Sequence, residues 1–383
     1  MNRNNETTLI AKGPETGGLV TESQEETPVP GLHQRCWSAA CKQAGGMLFQ
    51  MAYNLYVHTP LGPYLHHQSI KSLRTKDCPP HSIVNHAEPH RLTKCDVYTI
   101  PLLSDNYAFI LVDHATQQAA LVDPCDAEEV ASAARRLGVR VTHVLTTHHH
   151  HDHSGGNLQL KKTFPDVKVY GGTGEHVPGA THEVEHADWV SVGATRVQVF
   201  KTPFHTLNHV VFAVVSNAEP SPDDTVFGNR NIEAVFTGDV VLPGACGRLF
   251  RGTPQTAYDV LNVGLFAQLP EKTWLFSGHE YSLVNLKFAA WLIPEDTPVN
   301  ERLSWVKARR GEFLPTIPVT MGYERRSNVF MRIHDTRVRS ATMCRSSIKP
   351  ETRVHMSDAE IFRALRALKD DFKPSKEIES PGN

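Results

Sequence analysis

The chain has 383 residues, 40% of them hydrophobic and 8% aromatic, enough to bury the core of one large domain with a smaller one beside it. Its formal net charge of −2 argues against a polyanion or an anionic membrane surface recognised by global charge. The cysteines number seven, an odd count with no C-x-x-C pair, and read as free thiols of a reducing compartment rather than a disulfide framework.

Residues 1–46 begin with a stretch rich in Glu, Thr, Gly and Pro and are expected to be disordered. Glu6, Glu15, Glu22, Glu25 and Glu26, with no basic-then-apolar pattern, argue against a secretory or transit leader. Residues 47–72, "MLFQMAYNLYVHTPLGPYLHHQSIKS", are apolar and aromatic. They suit a helix packing on the domain, with membrane contact as the alternative; packing is preferred because nothing strongly basic flanks them. Residues 73–95 read as a polar linker that completes an N-terminal segment of 47–95. No run of about 18 apolar residues occurs, so the expected location is cytoplasmic, with membrane-associated or mitochondrial as alternatives.

From residue 96 the pattern becomes regular. The runs "VYTIPLL", "AFILVD", "AALVD" and "VTHVLTT" are β-rich and separated by turn residues. The segment "DAEEVASAARRLG" predicts a helix capped by Asp126 and closed by Gly138. Further strands are expected at 189–201, 209–215, 233–237 and 273–277, and helices at 255–268, 282–291, 299–309 and 357–370. Residues 216–231 read as a surface insertion. Strands in runs with helices between them favour layered sheets with helices outside, an α/β (α+β) class.

The chemistry concentrates in "VLTTHHHHDHSGGN", residues 144–157, a strand followed by a helix expected to begin near Ser154. Such a turn gathers side chains at the C-terminal edge of a sheet. It offers His148, His150, Asp152 and His153, with Gly155 and Gly156 allowing close backbone approach. Loop histidines are often merely solvated, but separate segments add ligand-type residues. "TPFHTLNH" supplies His205, "VFTGDV" supplies Asp239 and "WLFSGHEY" supplies His279, each at a strand end. Core packing does not explain three such strand ends. Hydrolytic metal sites need nitrogen and oxygen ligands of this kind with an open position.

On "LLSDNYAFILVD", "ALVDP", "TTHHHHDHSGGN", "VYGG", "TPFHT", "VFTGD", "GACGR", "SGHEY" and "NLKFA" the chain resembles glyoxalase II, the hydroxyacylglutathione hydrolase family of the metallo-β-lactamase superfamily. With the weaker "SNVFMR" and "FRALRALKDDFK", the resemblance covers roughly residues 97–373. It implies an αββα sandwich over residues 96–281 and a helical C-terminal, substrate-binding subdomain over 282–383. It also implies two divalent metals, zinc first, with iron or manganese equally suited by the ligand types. His148, His150 and His205 would hold one metal; Asp152, His153 and His279 the other. Asp239 would bridge them beside a water or hydroxide, making Asp239 and Asp152 the carboxylates of the catalytic centre.

The implied reaction is hydrolysis of an S-(2-hydroxyacyl)glutathione thioester, such as S-D-lactoylglutathione, to the hydroxy acid and glutathione. The partner is then a small molecule, with no nucleic acid. Arg248, Phe250, Tyr281, Arg366 and Lys369 occupy the family's substrate positions. The bland alternative for Arg366 and Lys369 is an ordinary solvated basic helix face. Phe250 stands where a phenol is usual and Arg248 where a lysine is common. Phe204, Asn208 and His151 also depart from the family pattern, though no ligand is lost. The pairing of Arg248 with Phe250 and the segment 47–72 resemble the branch associated with paroxysmal nonkinesigenic dyskinesia, which is linked to membranes.

Two other functions compete. A mononuclear iron persulfide dioxygenase shares the scaffold, but such chains are shorter and lack the helical extension. A membrane-associated scaffold protein with weak or altered hydrolase activity would suit the changed substrate positions. Among the remaining residues, Cys246 reads as a buried structural thiol, and His176, His182 and His186 as loop residues near the cleft. Asn106 and Tyr107 read as turn and core elements, and Asp123 as a structural or supporting residue. No phosphate-binding loop or dinucleotide fingerprint is present.

Overall fold

A computed structural model describes residues 81–84, 88–216, 232–346 and 355–374. The expectations for residues 1–80, and for the insertion beyond Ser216, lie outside the described residues. The first sheet runs β1 (His90–Arg91), β2 (Cys95–Leu102), β3 (Asn106–Asp113), β4 (Gln118–Val122), β5 (Arg140–Leu145), β6 (Lys168–Gly172) and β7 (His182–Val184), in that spatial order. Pairing is antiparallel through β4 and parallel from β4 to β7. In the parallel half, α1 (Ala127–Leu137) crosses from β4 to β5, α2 (His151–Ser154) and α3 (Asn157–Thr163) cross from β5 to β6, and residues 173–181 join β6 to β7 without a helix.

The second sheet is built from β8 (Trp189–Val192), β9 (Thr195–Lys201), β10 (Val210–Val215), β11 (Ile232–Gly238), β14 (Trp274–Ser277) and β15 (Val319–Thr320), with β14 between β11 and β15. A small hairpin of β12 (Val241–Leu242) and β13 (Ala245–Cys246) follows β11. Outside this sheet lie α4 (Pro254–Tyr258), α5 (Leu265–Gln268), α6 (Ser282–Leu292), α7 (Thr297–Gly311), α8 (Met321–Ser327), α9 (Thr336–Arg345) and α10 (Asp358–Asp371).

Alternation explains the layers. On β3, Phe109 and Leu111 pack with Phe212, Val214 and Phe236 of the second sheet. Ala108, Ile110 and Val112, pointing the other way, pack with Val130, Ala131 and Ala134 of α1. On β10 the same rule sends Val211, Ala213 and Val215 toward Phe288 of α6 and Phe362 of α10. Both faces of both sheets are therefore covered, which is why these strands read as continuous apolar runs. The result is the αββα sandwich.

The helix ends follow local rules. Asp126 accepts from the backbone N–H of Glu128 and Glu129 at 3.1 and 3.2 Å, and Gly138 closes α1 at φ +68°. Ser357 and Glu360 form a reciprocal capping box at the start of α10. Three expectations need correction. The strand expected over 189–201 turns at Gly193 into β8 and β9, and the helix expected over 255–268 is interrupted by a π-helical turn at Asp259–Val263. The end of the polar linker is part of the sheet, because His90 and Arg91 pair with Val97 and Asp96.

Candidate metal centre

The centre lies at one edge of the sandwich because two pairs of parallel strands end there. β11 and β14 run side by side, so Gly238–Asp239 and Gly278–His279 meet, with Gly278 N–H donating to the Gly238 carbonyl at 3.0 Å. β4 and β5 end together in the other sheet, where Asp123 accepts from Thr147 N–H and Oγ1–H, each at 2.8 Å. The histidine run leaves β5 here and turns into α2. Gly156 N–H donates to the Pro124 carbonyl at 3.1 Å, and a Cβ at Gly156 would sit 2.1 Å from that oxygen, so only glycine allows the approach.

Seven side chains from four segments converge. His148, His150 and His205 form one group whose ligand-type atoms all lie within 4.8 Å of one another, and Asp152, His153 and His279 form a second. His150 Nδ1 is 2.9 Å from His148 Nε2 and 3.1 Å from His205 Nε2. In the second group, His279 Nε2 lies 3.3 Å from His153 Nε2 and 3.5 Å from Asp152 Oδ2. Asp239 stands between the groups. Its Oδ2 is 3.3 Å from His205 Nε2, while Oδ1 is 3.4 Å from His153 Nε2 and 3.3 Å from His279 Nε2.

The tautomers follow from the outer partners. His153 Nδ1 donates to Asp123 Oδ2 at 3.1 Å, His279 Nδ1 to Asp105 Oδ1 at 2.8 Å, and His205 Nδ1 to the Arg248 carbonyl at 3.1 Å. The Thr147 hydroxyl gives its proton to Asp123 and so accepts from His148 Nδ1, 3.1 Å away. Four Nε2 lone pairs therefore face the centre. Lone pairs this close repel unless a shared cation lies between them, and ligands about 2.1 Å from a tetrahedral metal sit about 3.4 Å apart. Asp239 Oδ1 is buried and makes no hydrogen bond, an orphaned acceptor that a cation would satisfy. The donor set fits two divalent metals.

Electrostatics divides the two halves. Burial and neighbouring imidazoles hold His148 and His150 well below the usual imidazole value, and burial with His153 pushes His205 down to about 3. Burial opposes charge on His153 too, but Asp239, Asp152 and Asp123 lift it to about 10. His279 rises to about 9 against the same burial, through Asp239, Asp105 and Asp152. One half offers neutral nitrogens; in the other, the carboxylates that favour a proton on His153 and His279 supply the negative charge that would hold a metal cation in its place.

Of the remaining predicted residues, Phe250 and Tyr281 set their rings against this cluster. Phe250 sets its ring edge-on to His150 and His205, at 5.7 and 5.1 Å between centroids. Tyr281 stacks on His279 at 4.7 Å and donates its hydroxyl to Asp105 at 3.1 Å. Arg248 is exposed, with Nε 3.3 Å from Asp370 Oδ1. Arg366 reaches the same oxygen at 3.1 Å and donates to the Cys246 carbonyl at 2.9 Å. Arg366 is buried, so the solvated-face alternative for it is wrong: its guanidinium turns inward beneath β13. Lys369 lies 5.8 Å from the Phe288 ring, its ammonium pushed down to about 7 by burial and by Arg366.

His149 is turned away from the cluster: its N–H and Nδ1 meet Glu175 Oε1 at 3.0 and 2.6 Å. Cys246 is a buried thiol, raised to about 11 by desolvation. His182 is a strand residue of β7 rather than a loop residue. Asn106 does more than shape a turn, because its Nδ2 donates to the Asp152 carbonyl at 3.0 Å. Asp105, Glu175 and His209, whose ring stacks on His148 at 4.9 Å, were not anticipated from sequence. Their contacts join distant segments and leave no local pattern.

Residues 105–279 match the family model of the metallo-beta-lactamase superfamily, and residues 280–372 match that of the hydroxyacylglutathione hydrolase C-terminus. The chain is 37% identical over 278 residues to the cytoplasmic hydroxyacylglutathione hydrolase of Arabidopsis thaliana, covering 72% of this chain and 99% of that one. It is 36% identical, with the same coverage, to the hydroxyacylglutathione hydrolase of Gloeobacter violaceus. Among solved structures, ETHE1 from Myxococcus xanthus aligns at a TM-score of 0.43 and 23% identity, over 69% of this chain and 93% of that one.

Proposed function

The chain belongs to the hydroxyacylglutathione hydrolase family of the metallo-β-lactamase superfamily, and we propose that it cleaves S-(2-hydroxyacyl)glutathione thioesters, such as S-D-lactoylglutathione, at a pair of zinc ions. His148, His150 and His205 would hold one ion and Asp152, His153 and His279 the other, with Asp239 available to both. When bound, the ions supply a water of lowered pKa and polarise the thioester carbonyl. The observation that carries this reading is the split of Asp239, with Oδ2 at 3.3 Å from His205 and Oδ1 at 3.3 Å from His279.

The chain's own residues orient the rest. Asp105, Asp123 and the Arg248 carbonyl hold three imidazoles by their Nδ1–H groups, so the ligand rings cannot rotate out of register. Phe250 supplies an apolar wall beside His150 and His205. Arg248 and Arg366 both reach Asp370 Oδ1, two guanidinium cations to one carboxylate. That excess of positive charge suits the carboxylates of glutathione. The thiolate leaves readily, so little general-acid help is needed.

The test is metal content and thiol release from S-D-lactoylglutathione, for the full chain and for Asp239→Ala. Two metal equivalents are expected, with turnover falling more than about a hundredfold in the variant. One iron per chain with oxygen uptake on glutathione persulfide would overturn the reading in favour of a dioxygenase. Bound metal with neither activity would favour a scaffold protein.

A further inference from the structure

Both family models begin at or after residue 105, yet an earlier segment is built into the outer layer of the centre. Ser82 is buried, and Ile83 N–H donates to the Phe313 carbonyl at 2.7 Å. Arg310 of α7 clamps the segment, donating to the His81 carbonyl at 2.6 Å and to Ser82 Oγ at 2.9 Å. His81 Nε2 is 2.7 Å from the Asn106 carbonyl, which can only accept, so Nε2 carries the proton and Nδ1 faces Ser82 Oγ at 3.0 Å. Ser82 Oγ is also 2.9 Å from the hydroxyl of Tyr107, which donates to Glu280 Oε2 at 2.8 Å.

These contacts fall on one hub. Asn106 pairs with His279 as an isolated bridge, flanked by Tyr107 N–H to the Gly278 carbonyl and Glu280 N–H to the Asp105 carbonyl, each at 2.8 Å. The turn Asp105–Tyr107 is thus zipped to Gly278–Glu280. From this hub Asp105 grips His279 and Asn106 grips Asp152. His81 holds the hub by the Asn106 carbonyl, and Ser82 holds it through Tyr107 and Glu280.

We propose that His81 and Ser82 are positioning residues, a strap outside the family-matched region that fixes Asp152 and His279 and thereby sets the affinity of the second metal position; this rests on the binuclear reading above. The strap acts through the hub and touches no reacting atom. Its effect belongs to retention of one metal and to kcat, while the cationic substrate residues, and so KM, are left in place.

The test compares the full chain with His81→Ala and His81→Gln, whose amide can donate to the same carbonyl. Metal equivalents retained are measured across a chelator titration, together with the unfolding midpoint of the metal-free protein. His81→Ala is expected to release its second equivalent at about tenfold lower chelator, retain the first normally, and lose kcat with KM unchanged. His81→Gln is expected to restore retention. A variant that keeps both equivalents like the parent would overturn the strap. So would loss of both in parallel with a lowered metal-free midpoint, the mark of a merely structural role. A parent chain taking up fewer than two equivalents would sink the binuclear reading itself, a result visible without any variant.

Discussion

At the scale of single residues, the acceptors behind the histidines decide how firmly the cluster is held. Asp105 is the clearest case, receiving His279 Nδ1–H at 2.8 Å and the Tyr281 hydroxyl at 3.1 Å. Burial would raise its carboxyl, but the hydrogen bond and charge of His279 hold it below the usual carboxylate range. Asp105→Asn keeps an acceptor and loses the charge, so affinity at the second position should fall by about 10–100-fold. Dialysis against buffered zinc, followed by metal analysis, measures this; equal retention by parent and variant would show that Asp105 is only a spacer. The seven converging side chains were legible in sequence because histidine and aspartate clustered beside strand ends. Asp105 was not, because its partner is 174 residues away. The burial of Arg366 was hidden for a related reason: helical spacing shows which residues share a face, and burial of that face depends on β13 packing against it.

At the scale of elements, the strands were legible because both sheets are covered on both faces, and runs such as "AFILVD" have few other uses. Capped helices were equally plain, since Asp126 and Gly138 carry their own local chemistry. The interruption after Tyr258 was not, because Asp259 and Asn262 are polar residues that an exposed helix face also carries, and the break at Gly264 was the one local sign of it. Most of the chemistry depends on how closely elements approach. Gly278 sits where β11 and β14 end together, and a Cβ there would lie 2.6 Å from His153 Cε1 and 3.1 Å from Asp239 Oδ1. Gly278→Ala must therefore push the strand ends apart at the second metal position. The expected result is earlier loss of metal on chelator titration and a stability loss of about 1–3 kcal/mol by urea unfolding. Unchanged retention would mean the strand ends have slack that the packing does not suggest.

At the scale of the whole molecule, the sandwich and its helical layer are joined through the outer face of the second sheet, and the layer has its own electrostatic joint. Asp296 caps α7 by accepting from Val299 N–H at 3.1 Å, and meets Arg332 at 2.7 Å and Arg337 at 3.0 Å. Burial opposes the charge on Asp296, but the hydrogen bonds from Arg332 and Val299 hold its pKa below the ordinary aspartate value. A carboxyl whose folded pKa is depressed adds stability at pH values above its unfolded value, about 3.9, and loses it as pH falls through the folded value. Asp296→Asn should thus cost about 3 kcal/mol at pH 7, since it leaves the Arg332 charge half-compensated, and progressively less below about pH 4. Urea unfolding of parent and variant at pH 7 and pH 3.5 measures the difference, and a gap that does not shrink in acid would sink the argument. Metal retention supplies the spatial control. Asp296 contacts none of the seven ligand candidates among its described partners, so folded Asp296→Asn should hold metal like the parent, whereas Gly278→Ala should not. That contrast would separate the stability of the helical layer from the integrity of the centre it covers.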